Sequence, residues 1–270
     1  MPELEWLPVH TPELDNLRAA LSFTLADPQH APIGIGLAAS GALLFDNLGL
    51  IAEFRSYTER AMAAVTVDTS HLLVATLIAK MAVIHGNFDQ PRALELAEQA
   101  AAMFLQLGNR EKRASALITA GAMQAMFGQH DAAGTALHEA YETLRHADRP
   151  KSLMFVSVVL GNLYGASNRP VQALPWYKRT IDLARPLKHS SFEALALANL
   201  AQAEFLLGEI DRAIEVGIEA IDRFRQLGLR EYLAPSLMNL VTYLLVRNEV
   251  AAARPMAVEA FAILREWGGS

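Results

Sequence analysis

The 270-residue sequence has no cysteine, few aromatic residues (7%), only 19% charged residues and no long apolar run. Without cysteine there can be no disulfide, thiolate zinc site or cysteine nucleophile. That agrees with a reducing cytoplasm, the expected location. The longest uncharged apolar stretch, Leu153 to about Ala166, contains Asn162 and two glycines. It is shorter than the roughly 20 residues that a membrane-spanning helix needs. The first ten residues hold two prolines and two glutamates, where a signal peptide would carry a basic start and an apolar core. Lys and Arg total 23 against 29 Asp and Glu, a net charge of −6 spread along the chain. A nucleic-acid surface needs clustered cations, so direct nucleic-acid binding is not expected. What the chain does have is 52% hydrophobic residues, much of it alanine. That is enough for a sizeable core and too much for disorder.

The alanines belong to a repeat. Short Gly or Asn turns follow apolar runs at Gly49, Gly86-Asn87-Phe88-Asp89, Gly128-Gln129-His130-Asp131, Ser167-Asn168-Arg169-Pro170, Gly208-Glu209-Ile210-Asp211 and Arg247-Asn248-Glu249-Val250. Anchors at 49, 86, 128, 167, 208 and 247 are 37, 42, 39, 41 and 39 residues apart. A second marker, Gln106-Leu107-Gly108-Asn109-Arg110-Glu111, recurs 120 residues later as Gln226-Leu227-Gly228-Leu229-Arg230-Glu231. Fixed periods of this length are the mark of stacked supersecondary units.

Each unit reads as two helices. No stretch alternates apolar and polar residues long enough to be a strand. Thr11-Pro12-Glu13 predicts an N-cap before a helix, and Ser190-Ser191-Phe192-Glu193 has capping-box spacing. Aligned on their turns, the first helices place small residues at Ala79, Gly121, Gly161, Ala201 and, less small, Val241. The second helices place them at Ala93, Ala133, Ala173, Ala213 and Ala253, and again at Ala61, Ala100, Ala140, Thr180, Ala220 and Ala260. Seven residues is about two helical turns, so both second-helix positions face one way, and small side chains let helices approach closely. Pro175 and Pro255 lie beyond the first turn of two second helices and predict local kinks.

Leu160-Gly161-Asn162-Leu163-Tyr164, followed by Ala173, Tyr177 and Thr180, resembles the tetratricopeptide repeat (TPR). The period is about 40 rather than 34, and the consensus Trp and closing Pro are mostly missing. The expectation is an all-α protein: a right-handed α-solenoid of about six TPR-like helix pairs with an extra N-terminal helix. It is read as a single domain over residues 1–270, with a linker and capping helix in 1–27 and repeats over 31–267.

Before the repeats, Trp6-Leu7 and Glu13-Leu14-Asp15-Asn16-Leu17-Arg18-Ala19-Ala20-Leu21-Ser22-Phe23 resemble a segment of bacterial STAND-type regulatory ATPases. Relatives of the maltose regulator and other LuxR-type activators are among them. Gly49 through Glu59-Arg60-Ala61-Met62 matches the same family more loosely. In that family the segment joins a nucleotide-binding switch to a C-terminal TPR region. The resemblance therefore implies the ligand- or protein-sensing arm of a transcriptional regulator, with an ATPase and DNA-binding module as candidate partner in the same native chain. The sequence itself has no Gly-x-x-x-x-Gly-Lys-Ser/Thr and no helix-turn-helix. It is either a piece of a larger regulator or a stand-alone TPR scaffold, with a homodimer as one form of the latter.

No catalytic constellation emerges, and enzyme activity is not expected. Gly34-Ile35-Gly36 follows Pro32 inside a helical pattern rather than a strand, so it reads as helix packing and not a dinucleotide loop. His138 and Glu139 lack the second histidine of a zinc-protease helix. No metal or cofactor is expected. In stacked repeats the first helices line the concave face, which commonly binds ligands. There Asn162, Gln202 and Thr242 form a polar row beside Asn199 and Asn239. Lys80 takes the equivalent place earlier in the chain. Phe155 is a candidate apolar contact, with Val158, Leu195, Ala198, Phe205, Met238 and Leu245 as neighbours. Such a surface suits a peptide, protein or small-molecule effector. Lys80 alone cannot form a carboxylate clamp, so acidic peptide C-termini are not the expected ligand.

Overall fold

The structure is a computed structural model and describes residues 11–41, 44–45 and 48–268. Trp6-Leu7 lies outside the described residues, as does His10. Among the described residues there are thirteen α-helices and no strand. No helix among them is long and apolar enough to cross a membrane. The all-α expectation of TPR-like helix pairs holds.

The chain forms two compact units, Met1–Asp148 and Arg149–Ser270. In the first, after a 3-10 turn at Thr11–Glu13, come α1 (Leu14–Thr24), α2 (Ala31–Ser40), α3 (Ile51–Ala63), α4 (His71–His85), α5 (Gln90–Gln106), α6 (Arg110–Met126) and α7 (His130–Leu144). In the second come α8 (Pro150–Ala166), α9 (Pro170–Leu187), α10 (Ser190–Leu206), α11 (Ile210–Leu227), α12 (Arg230–Val246) and α13 (Val250–Gly268). Within each unit consecutive helices pack on one another. Successive first helices also touch, α4 with α6, α8 with α10 and α10 with α12.

The turns explain the period. Left-handed backbone occurs at Gly128 (φ 73°), Asn168 (54°), Gly208 (84°) and Asn248 (62°), so the structural repeat is 40 residues each time. Glycine enters this region without strain, and asparagine is the side chain that tolerates it best. The turns after the second helices α5, α9 and α11 use the same device at Gly108, Lys188 and Gly228. Lys188 was invisible to a search for Gly and Asn. Gly86 differs, because it ends α4 in ordinary helical conformation (φ −54°).

The small-residue ladder is where the helices meet. Ala93, Ala133, Ala173, Ala213 and Ala253 are buried, as are Ala61, Ala100, Ala140, Thr180, Ala220 and Ala260. On the first helices Gly121, Gly161, Ala201 and Val241 are buried and Ala79 is half-buried. Thr180 satisfies its hydroxyl within α9, on the Trp176 carbonyl at 2.9 Å. First helices are buried more widely than second ones because they touch the first helices of adjacent repeats as well as the helices before and after them. α10 packs against α9 and α11 and also touches α8 and α12. Charged pairs repeat with the same period on the second helices: Arg185 with Glu219 at 2.9 Å and Arg225 with Glu259 at 2.6 Å.

The predicted capping signals are corrected. Thr11 opens the 3-10 turn, and α1 starts after Glu13 with no side-chain cap. Ser190 is already helical, and the residue before it, His189, caps nothing. Glu193 does not reach back to the helix start. Its carboxylate binds Arg185 Nε at 2.8 Å and Arg223 at 3.5 Å, and two guanidinium partners outcompete one backbone N–H. Side-chain caps do occur at Asp89 and Asn109, which accept from the N–H groups of Arg92 and Lys112. At Pro175 and Pro255 the helices run on. Both prolines are exposed, so water can satisfy the carbonyl each one leaves unpaired.

The N-terminal signature acts as a dock. Arg18 holds Glu53 of α3 bidentately, Nε and Nη2 each at 2.7 Å, and Leu21 is fully buried. The hydrogen bonds from Arg18 hold the Glu53 carboxyl below its usual range. Gly34 is a packing residue. A Cβ there would lie 2.6 Å from the Leu25 side chain and 2.7 Å from Thr24 Oγ1.

Candidate functional site

The second unit holds a cleft of about 360 Å³ between α8 and α10. Asn162, Asn199 and Gln202, three of the residues singled out from sequence, line it together. Asn162 and Asn199 come from different repeats. Asn199 Nδ2 donates to Asn162 Oδ1 at 3.0 Å. This leaves Asn162 Nδ2 as a donor and Asn199 Oδ1 as an acceptor with no protein partner among the described residues. One donor beside one acceptor matches the C=O and N–H of one residue in an extended chain, which point the same way. Gln202, exposed, adds a second amide.

The wall is Tyr177, which sequence analysis read only as a repeat-consensus residue. It is 4% exposed, and burial pushes its phenol up to about 12. It lies along α8 because that helix has glycines four residues apart. A Cβ at Gly161 would stand 2.5 Å from Tyr177 Cε1, and one at Gly165 2.7 Å from the hydroxyl oxygen. The signal was legible as two glycines on one helix face opposite a tyrosine. Its meaning depended on which way Tyr177 lies. Pro170 and Leu206 complete the apolar part of the lining.

The other sequence candidates divide. Phe155 is half exposed, 48%, and packs its ring against Phe192 of α10 at 5.4 Å. Asn239 and Thr242 are exposed on α12 and do not line the cleft. The Thr242 hydroxyl is committed to the Met238 carbonyl of its own helix at 3.1 Å. Lys80 belongs to the first unit, on α4. Burial pushes its ammonium below the ordinary lysine range, and neighbouring Lys112 adds to the shift. Lys112 itself donates to Thr76 at 3.2 Å. Among the neighbours, Val158 is a core residue at 7% exposure rather than a groove residue. Phe205 stacks on Tyr243 at 4.6 Å. Met238 and Leu245 are exposed.

Tyr243 carries a cost. It is 3% exposed, its hydroxyl has no hydrogen-bond partner among the described residues, and burial pushes it up to about 12. A buried unpaired hydroxyl costs on the order of 1–3 kcal/mol. Tyr243→Phe keeps the stack on Phe205 and removes the oxygen. It should stabilise the protein by about 1 kcal/mol, a rise of roughly 2–4 °C in melting temperature. A fall in the melting temperature would show that the hydroxyl is satisfied in solution.

Chemically, the cleft presents amides, a tyrosine and small or apolar side chains, with no charged residue in its lining. Among the described residues no group of three His, Asp or Glu could hold a metal ion. His138 and Glu139 are half-buried, and Glu139 is bound by the Arg113 guanidinium.

No protein-family model matches the sequence, and no curated protein matches it. Solved structures do match in fold. A signal-transduction ATPase of the STAND class with a tetratricopeptide repeat sensor, from Pyrococcus horikoshii, superposes with TM-score 0.70 at 12% identity over 97% of this chain. The chain spans 40% of that protein's length. A Rap protein complexed with competence and sporulation factor gives TM-score 0.62 at 11% identity, covering 90% of this chain and 77% of that one. The apo quorum sensor NprR of B. thuringiensis gives 0.63 at 14%, covering 96% and 83%. At these identities the likeness is one of fold, and that fold is TPR-like.

Proposed function

We propose that this chain is a non-catalytic binding module and that the α8–α10 cleft receives a peptide or a small polar effector. The observation that carries the reading is the Asn162–Asn199 pair. Two helices from different repeats bring together an unpaired amide donor and an unpaired amide acceptor at the mouth of a cleft. Asparagines needed only for folding would have both groups satisfied or spread in water. The uncharged lining supports a ligand bound by hydrogen bonds and apolar contact rather than by reaction.

We further infer that the module is the sensing arm of a transcriptional regulator. The Glu13–Phe23 segment supports this, as does the shared fold with a STAND ATPase whose repeats are described as a sensor. Each repeat touches only its neighbours. A ligand bridging α8 and α10 would therefore bias how successive helix pairs stack. The regulator reading requires a nucleotide-binding module in the native gene or a neighbouring one; its absence from both overturns that part.

Binding itself is tested with phage-displayed random hexapeptides selected on the whole protein. Asn162→Ala with Gln202→Ala should weaken selected peptides at least about tenfold, roughly 1.4 kcal/mol. The urea midpoint should be unchanged, because both residues are exposed. Equal loss of binding and stability would make the row structural, and unchanged binding would place the ligand elsewhere.

A further inference from the structure

The first-helix face of the second unit uses one register twice. Asn162 and Asn199 are 37 residues apart and hydrogen-bonded. Phe155 and Phe192 are also 37 residues apart, with ring centroids at 5.4 Å. Each phenylalanine precedes its asparagine by seven residues. Seven residues is about two turns, so on both helices the aromatic and the amide share one face. At 1.5 Å per residue the two rungs stand about 10 Å apart along the helix axes.

The aromatic rung is not a product of the repeat. The positions equivalent to Phe155 forty residues on and eighty residues on are Leu195 and Pro235, and forty residues before Phe192 stands Ser152. Core packing does not account for it either, since Phe155 is 48% exposed. His189 stands edge-on to Phe192, with centroids at 4.8 Å and planes at 82°, and bounds the rung on one side. From the amide rung the cleft continues the other way, past Gly165 and Gln202 to Leu206. Along this face the apolar pair thus stands on one side of the amide rung and the cleft on the other.

We propose that the ligand is an extended peptide carrying an aromatic or large aliphatic side chain about three residues from the residue whose N–H and C=O are held by Asn199 and Asn162. That side chain lies on Phe155 and Phe192. The spacing follows from the rise of an extended chain, about 3.3 Å per residue, against the separation of roughly 10 Å between the rungs. Offset or edge-to-face contact with the exposed Phe155 ring and the partly buried Phe192 ring favours an aromatic residue at this place. The proposal rests on the binding reading above and adds a preference that the reading alone does not require.

The test uses the sequences of the selected hexapeptides and one synthetic binder, acetylated and amidated. The selected peptides should carry Phe, Tyr, Trp or Leu at one fixed position. Phe155→Ser should weaken the synthetic binder about tenfold. Replacing that one peptide residue by Ala should weaken it on the wild-type protein by a similar factor, with little further loss on Phe155→Ser. Because Phe155 is half exposed, the variant should stay folded with only a small fall in the urea midpoint. A variant that unfolds is replaced by Phe155→Leu, which should weaken aromatic binders more than leucine-bearing ones. Peptides that depend on Asn162 and Gln202 but show no apolar preference would overturn this inference and leave the binding reading standing. Additive losses in the Phe155 cycle would do the same. A library that yields no binder overturns this inference and the peptide half of the binding reading.

Discussion

Gly161→Ala should destabilise the protein by about 2 kcal/mol, although alanine is the better helix former by roughly 1 kcal/mol. The new methyl would lie 2.5 Å from Tyr177 Cε1 and 2.7 Å from Cδ1, far inside van der Waals contact. Tyr177 is almost fully buried in the core of the second unit, so a ring pushed off Gly161 gives up that packing as it moves toward the cleft. Overpacking of this kind costs on the order of 1–3 kcal/mol, and here it outweighs the helical gain. Gly36 is the internal control. It lies inside α2, and a Cβ there meets nothing within 4 Å, so Gly36→Ala should stabilise by about 0.5–1 kcal/mol. Opposite shifts of the two urea midpoints would confirm the account. Equal shifts would mean that Tyr177 moves aside at no cost. The double variant Gly161→Ala with Tyr177→Leu should recover part of the loss. It should also alter peptide binding, since Tyr177 walls the cleft.

Arg185→Met should cost about 2–3 kcal/mol, several times the effect of an ordinary surface ion pair. Its partner Glu193 is 5% exposed, and removing one member of a buried pair leaves a charge that water cannot reach. Arg223 stays at 3.5 Å and limits the damage, which places the figure below the roughly 3–5 kcal/mol of a fully orphaned charge. Two comparisons isolate burial as the cause. Arg225→Met breaks an exposed pair of the same register, with Glu259, and should cost no more than about 1 kcal/mol. Replacing both Arg185 and Glu193 by Met should return most of the stability, because an apolar pair of similar size has no charge to strand. If Arg185→Met and Arg225→Met have equal effects on the urea midpoint, the burial of Glu193 is not what decides.

Much of the architecture was legible because it is local and periodic. Turn residues at Gly128, Asn168, Gly208 and Asn248, and the alanines between them, mark helix ends and helix contacts by chemistry that each residue carries on its own. Sequence reasoning failed where side chains had alternatives. Ser190 and Glu193 fit a capping box in spacing, yet Arg185 and Arg223 bind the carboxylate instead. Val158 looked like a groove residue and is core, because a first helix is covered on more than one side. The polar row was read along the repeat, as Asn162, Gln202 and Thr242 at 40-residue intervals. The pairing in space runs across the repeat at 37, Asn162 with Asn199 and Phe155 with Phe192.

The sequence by itself determined the helices, their period, the left-handed turns at Gly and Asn, and the small residues that let neighbouring helices approach. Each of these follows from backbone conformation or side-chain size at one position. The tertiary structure decided which amides meet, which side chains wall the cleft, and which carboxylates are buried. Those depend on the axial offset between stacked helices, about three residues short of the repeat, and on the space that Gly161 and Gly165 leave for Tyr177.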